Sequence, residues 1–348
     1  MNKILTIVVP TYNMERYLDK CLTSLILPEE QMPMLEVLVI NDGSKDRSSE
    51  IAHGYEAKYP QTFRVIDKEN GNYGSCINRG LKEATGKYIK ILDADDCFDI
   101  ENFSSFLFSL NNIDSDCILS DMIKVDDSGK GLVKCSLDVP PNRFFSLKEV
   151  GDEINNLWMH NVCYKTDILR KIHYHQTEGI SYTDQEWVCL PMSACSSLIY
   201  FPQVIYKYLV GREGQTIDIN IWEKNFWMET KGCKAMMELR KIDFSPICVN
   251  RNYIENRIKV RMWAIYKTYM FRFSTFLNEE IVRDIDKCLL QYDYNLYHYF
   301  DTIPSTLFLP TRIIKLWRKG YKKMIVITRL YVKMISTLKR LVKKLLRK

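Results

Sequence analysis

The stretch "GKYIKILDADDCFD", residues 86–99, joins an apolar, strand-like run to three carboxylates within four residues. Alternate residues of an extended segment share a face, so Asp93 and Asp95 should project together. Two such carboxylates repel each other unless a cation or hydrogen-bond donors lie between them. An all-oxygen site suits Mg²⁺ or Mn²⁺, so the pattern indicates a divalent-metal site. A helix-capping turn explains the acids equally well, with Asp96 as a cap or Asp99 at the start of the next helix.

Short apolar runs alternate with helical patterns through the first 120 residues. Strands are predicted at Ile4–Pro10, Leu35–Asp42, Thr62–Asp67, Lys87–Asp95 and Asp116–Met122. Helices are predicted between them, at 14–26, 47–59 and 74–85. This order predicts an α/β fold with a mainly parallel sheet and helices on both faces.

Polar, turn-forming residues lie at the C-terminal ends of three of these strands, as "PTYN" (10–13), "NDGS" (41–44) and "DADD" (93–96). Ligands of such sheets bind outside the carboxyl ends of the strands, so the three motifs are candidates for one binding edge. Each also has a plainer explanation, because Pro10 can simply end a strand and "NDGS" is a common turn sequence.

Composition limits the classes to which the chain can belong. Its 348 residues are 46% hydrophobic, enough for one large or two ordinary globular domains. The 11 cysteines are scattered without a Cys-x-x-Cys pair, so reduced thiols in a cytosol are expected rather than disulfides or a zinc site. The first apolar run ends at Pro10, too early for a signal peptide or an anchor, and no transmembrane helix is predicted.

The stretch from Arg312 to Lys348 contains 14 Lys and Arg and no acidic residue, whereas the rest of the chain is acidic on balance. Apolar residues recur in it at spacings of mostly three or four, which predicts an amphipathic helix with this stripe: Trp317, Tyr321, Met324, Tyr331, Ile335, Leu338, Val342 and Leu345. Such a helix fits an anionic membrane surface. Packing on the acidic body is the competing interpretation, and nucleic acid is not expected because no recognition fold accompanies the charge.

The order and spacing of the strand-end motifs resemble the N-terminal half of glycosyltransferase family 2, inverting enzymes with the GT-A fold. The matching stretches are "VVPTYNMERYLDKCLTSL", "EVLVINDGSKDRSSEIA" and "NGNYGSCINRGLKEATGKYIKILDADD". Further on, "GISYTDQEWVCLP" is similar to the family's Glu-Asp segment, and "VIYKYLVGREGQTI" to a Tyr-rich strand and polar loop of bacterial members. The resemblance covers roughly residues 3–218 and points to the bacterial surface-polysaccharide type.

On the nucleotide side, the resemblance implies that Pro10, Thr11 and Tyr12 line the pocket. It implies that Asp42 accepts a hydrogen bond from the base, usually uracil, and that Asn78 belongs to the nucleotide-sugar site. The position before Asn78 is isoleucine, where many members have an arginine that contacts the base or the diphosphate.

At the reaction centre, Asp93 and Asp95 fill the family's Asp-x-Asp motif. The resemblance implies that Asp93 contacts the ribose or the metal and that Asp95 binds the Mn²⁺ or Mg²⁺ directly. Asp184 falls where the family places its catalytic base, although Thr183 replaces the usual glutamate before it. A bound cation would stabilise the leaving diphosphate, and one base without a covalent nucleophile would invert the anomeric configuration.

As a whole, the resemblance implies a GT-A domain over residues 1–220, with a nucleotide-sugar half at about 1–122 and an acceptor half at about 140–220. A helical region is expected at 221–309 and the basic amphipathic tail at 310–348. The expected activity is metal-dependent transfer of a sugar, hexosyl or hexosaminyl, from a UDP-sugar to a glycan or polyprenyl-linked acceptor in surface polysaccharide synthesis. The expected location is cytoplasmic, peripheral on the inner face of the membrane.

Two alternatives stay open at this point. An inactive, membrane-associated adaptor that binds nucleotide sugars would carry the same motifs without turnover. A nucleotidyltransferase on a similar sheet usually needs a Gly-rich phosphate loop after the first strand, and "PTYNMERY" offers none.

Overall fold

The computed structural model describes residues 3–151, 154, 157–212, 215, 218–242, 249–273, 275–304 and 312–345. Contacts divide the chain into two compact units. Unit 1 comprises Met1–Glu213 and Lys241–Ile254, and unit 2 comprises Gly214–Arg240 and Glu255–Lys348.

Unit 1 contains, within the described residues, a ten-stranded sheet. Its strands are β1 Leu5–Thr11, β2 Leu35–Asn41, β3 Phe63–Asp67, β4 Tyr88–Ile91, β5 Cys97–Phe98, β6 Cys117–Val125, β7 Gly131–Cys135, β8 Phe144–Phe145, β9 Val162–Lys165 and β10 Leu198–Leu209. The order across the sheet is β3-β2-β1-β4-β9-β6-β10-β5, with β7 beside β6 and β8 beside β10. Strands β1 to β4 pair in parallel, as do β6 and β10, while β9 runs antiparallel between β4 and β6. The carboxyl ends of β1, β2, β4, β6 and β10 therefore lie at one edge.

The helices of unit 1 are α1 Leu18–Thr23, α2 Ser48–Lys58, α3 Asn72–Glu83, α4 Ile100–Leu110, α5 Leu147–Val150, α6 Thr166–Lys171, α7 Asp184–Trp187 and α8 Leu190–Ser193. Those of unit 2 are α9 Ile219–Lys224, α10 Phe226–Glu238, most of α11 Arg251–Lys267, α12 Glu279–Tyr292, α13 Tyr294–Thr302, α14 Ile313–Arg318 and α15 Lys322–Leu345. A π-helical turn, Thr268–Arg272, follows α11.

The central strands are buried along their whole length, because helices cover both faces of a parallel sheet. All seven residues of β1 and all seven of β2 are buried. Leu22 of α1 and Phe103 of α4 pack into the same cluster. The strands and helices predicted for the first 122 residues are confirmed, with bounds that differ by at most four residues.

The acidic motif after β4 is a turn rather than the end of a strand. Strand β4 ends at Ile91, and the backbone N–H of Asp96 donates to the carbonyl oxygen of Asp93 at 2.9 Å. The expectation that Asp93 and Asp95 share a face of an extended segment is therefore wrong, because a turn does not keep the alternation of a strand.

Asp99 begins helix α4, as one of the two sequence interpretations expected. Its side chain accepts a hydrogen bond from the backbone N–H of Asn102 at 3.2 Å, which makes it the N-cap. Asp99 also pairs with Lys207 at 2.8 Å. Asp96 makes other contacts, described below.

Replacing Asp99 by alanine is expected to lower the free energy of unfolding by about 1 kcal/mol, because the first turn of α4 loses its cap. Urea denaturation monitored by circular dichroism measures this difference. The matched variant Asp99→Asn keeps a capping oxygen and should recover most of the loss. Equal stability of the alanine variant and the wild type would contradict the capping role.

The basic C-terminal stretch starts as a packed part of unit 2. Gly320, with a φ of 87°, separates α14 from α15 in a conformation that favours glycine. Trp317, which the sequence pattern assigned to a membrane-facing stripe, is fully buried. Arg329 is 9% exposed and donates to the carbonyl oxygens of Tyr269 at 2.6 Å and Met270 at 3.2 Å. The alternative that this stretch packs on the protein is thus realised over its first part.

Among the described side chains of α15, the exposed apolar ones are Val326, Ile327, Leu330 and Met334, whereas Met324, Tyr331 and Ile335 of the predicted stripe are half-buried. The side chains of Leu338, Val342 and Leu345, also predicted in that stripe, lie outside the described part of the chain. No helix in the described ranges is long and apolar enough to cross a bilayer.

Candidate functional site

The loops after β1 and β2 are joined at the edge where the parallel strands end. The N–H of Asp42 donates to the carbonyl oxygen of Thr11 at 2.8 Å. The N–H of Asn13 donates to the Ser44 hydroxyl at 3.1 Å, and the Asn13 side chain accepts from the N–H of Lys45 at 2.7 Å. The motifs "PTYN" and "NDGS" thus form one hydrogen-bonded border, at the sheet edge where the parallel topology places them.

The predicted nucleotide residues lie along this border with different exposures. Pro10, Thr11 and Asp42 are buried, whereas Tyr12 is 46% exposed and presents its ring to solvent. The Oδ1 atom of Asp42 accepts from the Lys68 ammonium at 2.5 Å and from the N–H of Gly71 at 2.9 Å. Their role as nucleotide ligands stays a prediction.

Asn78, also predicted in the nucleotide-sugar site, connects α3 to the segment before α7. Its Oδ1 accepts from the N–H of Gln176 at 2.8 Å. Its Nδ2 donates to the carbonyl oxygen of Gln176 at 2.9 Å and to Glu178 at 2.8 Å. These contacts hold Asn78 against the segment 176–178, and its place in the nucleotide-sugar site stays a prediction.

Asp93, Asp96 and His160 form a compact group of possible metal ligands. One ligand atom from each lies within 4.8 Å of the other two. The Tyr206 hydroxyl connects the two acids, because it donates to Asp96 Oδ2 at 2.6 Å and accepts from the N–H of Asp93 at 3.1 Å. Asp96 Oδ1 accepts from the N–H of Leu209 at 2.7 Å, so this acid is not a helix cap.

Burial gives this group unusual ionisation. Burial and the charge of Asp95 raise the pKa of Asp93 to about 7. Burial, and then the charges of Asp95 and Asp93, raise the pKa of Asp96 well above its ordinary value. Burial, and then the Lys90 and Lys124 charges, lower the pKa of His160 to about 3, so the imidazole is neutral. Two crowded carboxylates beside a neutral imidazole are stabilised by a cation.

The residues present fit a divalent cation. Carboxylate oxygens are hard ligands, and neutral imidazole is a common metal ligand. The buried Nδ1 of His160 has no hydrogen-bond partner within the part of the chain that the structure describes. The His160 ring packs against Tyr206 and Tyr208, with centroid distances of 4.4 and 5.0 Å.

Asp95, the predicted direct metal ligand, lies next to this group and points to another partner. Its Oδ2 accepts from Arg212 Nε at 2.5 Å, and the side chains of the pair are 12% and 14% exposed. The Arg212 guanidinium lies 5.6 Å from the centre of the Tyr17 ring. Metal binding by Asp95 stays a prediction.

Asp184, the predicted base, is the first residue of α7 and is half-buried. Its Oδ2 accepts from the Gln185 amide at 3.1 Å. Its charge contributes to the raised pKa values of Asp93 and of Tyr73, whose hydroxyl donates to Asp93 at 2.6 Å. Asp93, the first acid of the Asp-x-Asp motif, and Asp184 are thus close enough for the charge of Asp184 to act on Asp93.

Sequence reasoning missed Tyr73 and Tyr206, the two hydroxyls that hold Asp93 and Asp96. Tyr206 had a signal, because Tyr206 and Tyr208 alternate along β10 and must share a face. Tyr73 had none, since it lies in the first turn of α3 and reaches Asp93 only through the fold.

Comparison with known proteins agrees with this architecture. Residues 6–173 match the protein-family model described as "Glycosyl transferase family 2". The uncharacterized glycosyltransferase MG060 homolog of Mycoplasma pneumoniae is 25% identical over 282 residues, which cover 78% of this chain and 90% of that protein.

Other matches are shorter. The minor teichoic acid biosynthesis protein GgaB of Bacillus subtilis is 35% identical over 102 residues, which are 29% of this chain and 11% of GgaB. Two further curated relatives, 41% and 39% identical, are matched over 34% and 32% of their own length.

Among solved structures, S. aureus TarS in complex with UDP-GlcNAc is similar, with a TM-score of 0.64 and 18% identity, over 84% of this chain and 82% of that chain. At this identity the likeness concerns the fold alone. The expected GT-A type of α/β fold is confirmed.

Proposed function

We propose that the chain, whose residues 6–173 match the model of glycosyltransferase family 2, is a metal-dependent, inverting enzyme that transfers a hexosyl or hexosaminyl group. The donor is a nucleotide diphosphate sugar, and the acceptor is a glycan or a polyprenyl-linked sugar. The observation that carries this proposal is the group of Asp93, Asp96 and His160 at the carboxyl edge of the sheet. Crowded, buried acids at this edge favour a cation and its phosphate ligand.

The donor is proposed to be a UDP-sugar. Support comes from the fold shared with TarS, whose crystals contain UDP-GlcNAc. Tyr12, 46% exposed at the border, offers its ring to the base, and the buried Asp42 accepts from the base edge. Lys68 and Gly71 keep Asp42 oriented through Oδ1.

Asp93 and Asp95 are proposed to hold Mn²⁺ or Mg²⁺, with Asp96 and His160 completing the environment. When bound, such an ion stabilises the charge on the leaving diphosphate. Arg212 keeps Asp95 oriented through their ion pair, and Tyr73 and Tyr206 fix the other two acids. The acids are thus held in place before the donor arrives, which favours catalysis.

Asp184 is proposed to accept the proton of the acceptor hydroxyl as that oxygen attacks the anomeric carbon. The carboxylate is half-buried and lies near enough to Asp93 for their charges to interact. The bond from the anomeric carbon to the diphosphate breaks on the opposite face, and the configuration inverts. A base so placed contributes on the order of 10²–10⁴-fold to the rate.

The acceptor is proposed to belong to a bacterial surface polysaccharide, made on the cytoplasmic face of the membrane. The likeness to GgaB, whose name refers to minor teichoic acid biosynthesis, supports this class of acceptor. The proposed membrane contact is the exposed apolar stripe of α15, since basic residues occur throughout this helix.

Turnover of UDP-GlcNAc with Mn²⁺ tests the reaction centre. Asp95→Ala is expected to lower nucleotide release by on the order of 100-fold or more, because the diphosphate loses stabilisation by its cation. Asp127→Ala, in the exposed turn after β6, is the matched control and should behave as wild type. Undiminished turnover by Asp95→Ala would contradict the site, and tight donor binding without turnover in wild type would favour the inactive adaptor.

Liposome flotation tests the membrane contact. The double variant Ile327→Glu, Leu330→Glu is expected to abolish flotation with anionic vesicles, since both side chains are exposed in the stripe. High salt should also weaken wild-type binding. A truncation at Pro310 would be a poor test, because it removes the buried Trp317. Equal flotation of the double variant and the wild type would refute this contact.

A further inference from the structure

The backbone of Trp158 is held by a hydrogen bond, whereas its ring is exposed to solvent. Its backbone N–H donates to Asn161 Oδ1 at 3.1 Å, and Asn161 Nδ2 donates to the carbonyl oxygen of Ser120 on β6 at 2.8 Å. The turn Met159–Asn161 is thereby tied to the sheet, yet the Trp158 side chain is 41% exposed. By contrast, Trp187 in the same unit is fully buried.

Lys124 lies over this indole. Its ammonium is 4.8 Å from the ring centroid of Trp158, a cation–π distance. The chain regions that the structure describes contain no ion pair between Lys124 and an acidic side chain. The cation is therefore held by an aromatic face rather than by a carboxylate, and it can still bind an anion.

The pair lies beside the proposed reaction centre. Lys124 is in register with Tyr208 on the neighbouring strand, and the Tyr208 ring stacks on His160 at 5.0 Å. His160 is also two residues beyond Trp158, and its neighbour Met159 accepts from the Tyr73 hydroxyl at 3.6 Å. Trp158 and Lys124 thus border the Asp93 group on the side of β6 and β10.

We propose that Trp158 and Lys124 form an acceptor subsite for a sugar that carries a phosphate. The apolar face of a pyranose packs on the indole, and the phosphate binds the Lys124 ammonium. This inference rests on the proposed function and names its acceptor class. The phosphate has two sources, the diphosphate of a lipid-linked sugar or a phosphate group within a polymer.

The test measures binding of small acceptor mimics by saturation-transfer NMR, with UDP and Mg²⁺ present in excess so that the donor pocket is filled. The probes are N-acetylglucosamine 1-phosphate, which mimics a lipid-linked sugar, N-acetylglucosamine 6-phosphate, which mimics a polymer phosphate, and the neutral methyl glycoside. The 1-phosphate or the 6-phosphate is expected to bind more tightly than the glycoside, and the tighter one identifies the source.

Two substitutions separate the roles of the pair. Lys124→Gln should weaken the sugar phosphates about tenfold, the loss of one charge-assisted contact, without changing the neutral glycoside. Trp158→Ala should weaken all three probes, and Trp158→Phe should restore part of the binding. UDP affinity and thermal midpoint should stay at the wild-type values, which a merely structural role for Trp158 would not allow.

The proposal is overturned if both Lys124→Gln and Trp158→Ala bind the sugar phosphates as wild type does. It is also overturned if wild type binds no probe while UDP is present in excess. Failure of the proposed function is a separate result, because it appears as absent UDP binding in the wild type before any probe is added.

Discussion

Replacing Asp184 by asparagine is expected to slow sugar transfer by about 10²–10⁴-fold while leaving the affinity for the donor nearly unchanged. Asparagine has a similar size and keeps a side-chain oxygen that can accept the hydrogen bond from the Gln185 amide, which Asp184 Oδ2 accepts in the wild type at 3.1 Å. It cannot accept the proton of the acceptor hydroxyl. The loss should therefore appear in kcat rather than in the dissociation constant of the nucleotide sugar.

The measurement is steady-state turnover together with donor titration by calorimetry. Asp127→Asn, which neutralises an exposed acid in the turn after β6, is the control for loss of one charge. If Asp184→Asn kept the wild-type kcat, the base would have to be another residue. If it lost donor affinity instead, Asp184 would be a binding residue and the inversion chemistry assigned to it would be wrong.

Replacing Arg318 by methionine is expected to destabilise unit 2 by about 3–5 kcal/mol, because two acids lose a buried cation. The Arg318 side chain is 9% exposed. Its guanidinium contacts Asp286 at 2.6 Å and Asp301 at 3.0 Å, and donates to the carbonyl oxygen of Tyr297 at 2.8 Å. The same group lies over the Tyr297 ring.

Urea denaturation gives the difference in free energy of unfolding for this variant. Lys319→Met removes the neighbouring, exposed charge and should change stability by less than about 0.5 kcal/mol. A loss for Arg318→Met no larger than that of the control would mean that Arg318 acts as one more surface charge of a basic tail.

Much of the donor half could be predicted from sequence because its signals are local. Runs such as Leu35–Asn41 are buried on both faces and read as parallel strands, and the parallel order alone places "PTYN", "NDGS" and Asp93 at one edge. The N-cap at Asp99 was also within reach, since its signal lies within four residues of sequence.

The contacts within the site could not be predicted in the same way. Asp95 and Arg212 are 117 positions apart, and Asp96 and Tyr206 are 110 apart, so only the folded chain reveals these pairs. A similar limit applied to the C-terminal stretch. Its charge and periodicity suggested one surface helix, but Trp317 and Arg318 are part of unit 2. Arg318 pairs with acids on α12 and α13, and Trp317 packs against Tyr266 on α11.

The most direct measurement of the central claim is the anomeric configuration of the transfer product. Wild-type protein is incubated with UDP-GlcNAc, Mn²⁺ and a sugar phosphate acceptor, and the product is isolated and examined by proton NMR. A single displacement with Asp184 as base predicts a β-linked product from the α-linked donor. An α-linked product would contradict that mechanism, and the absence of any product with every nucleotide sugar tested would contradict the assignment as a glycosyltransferase.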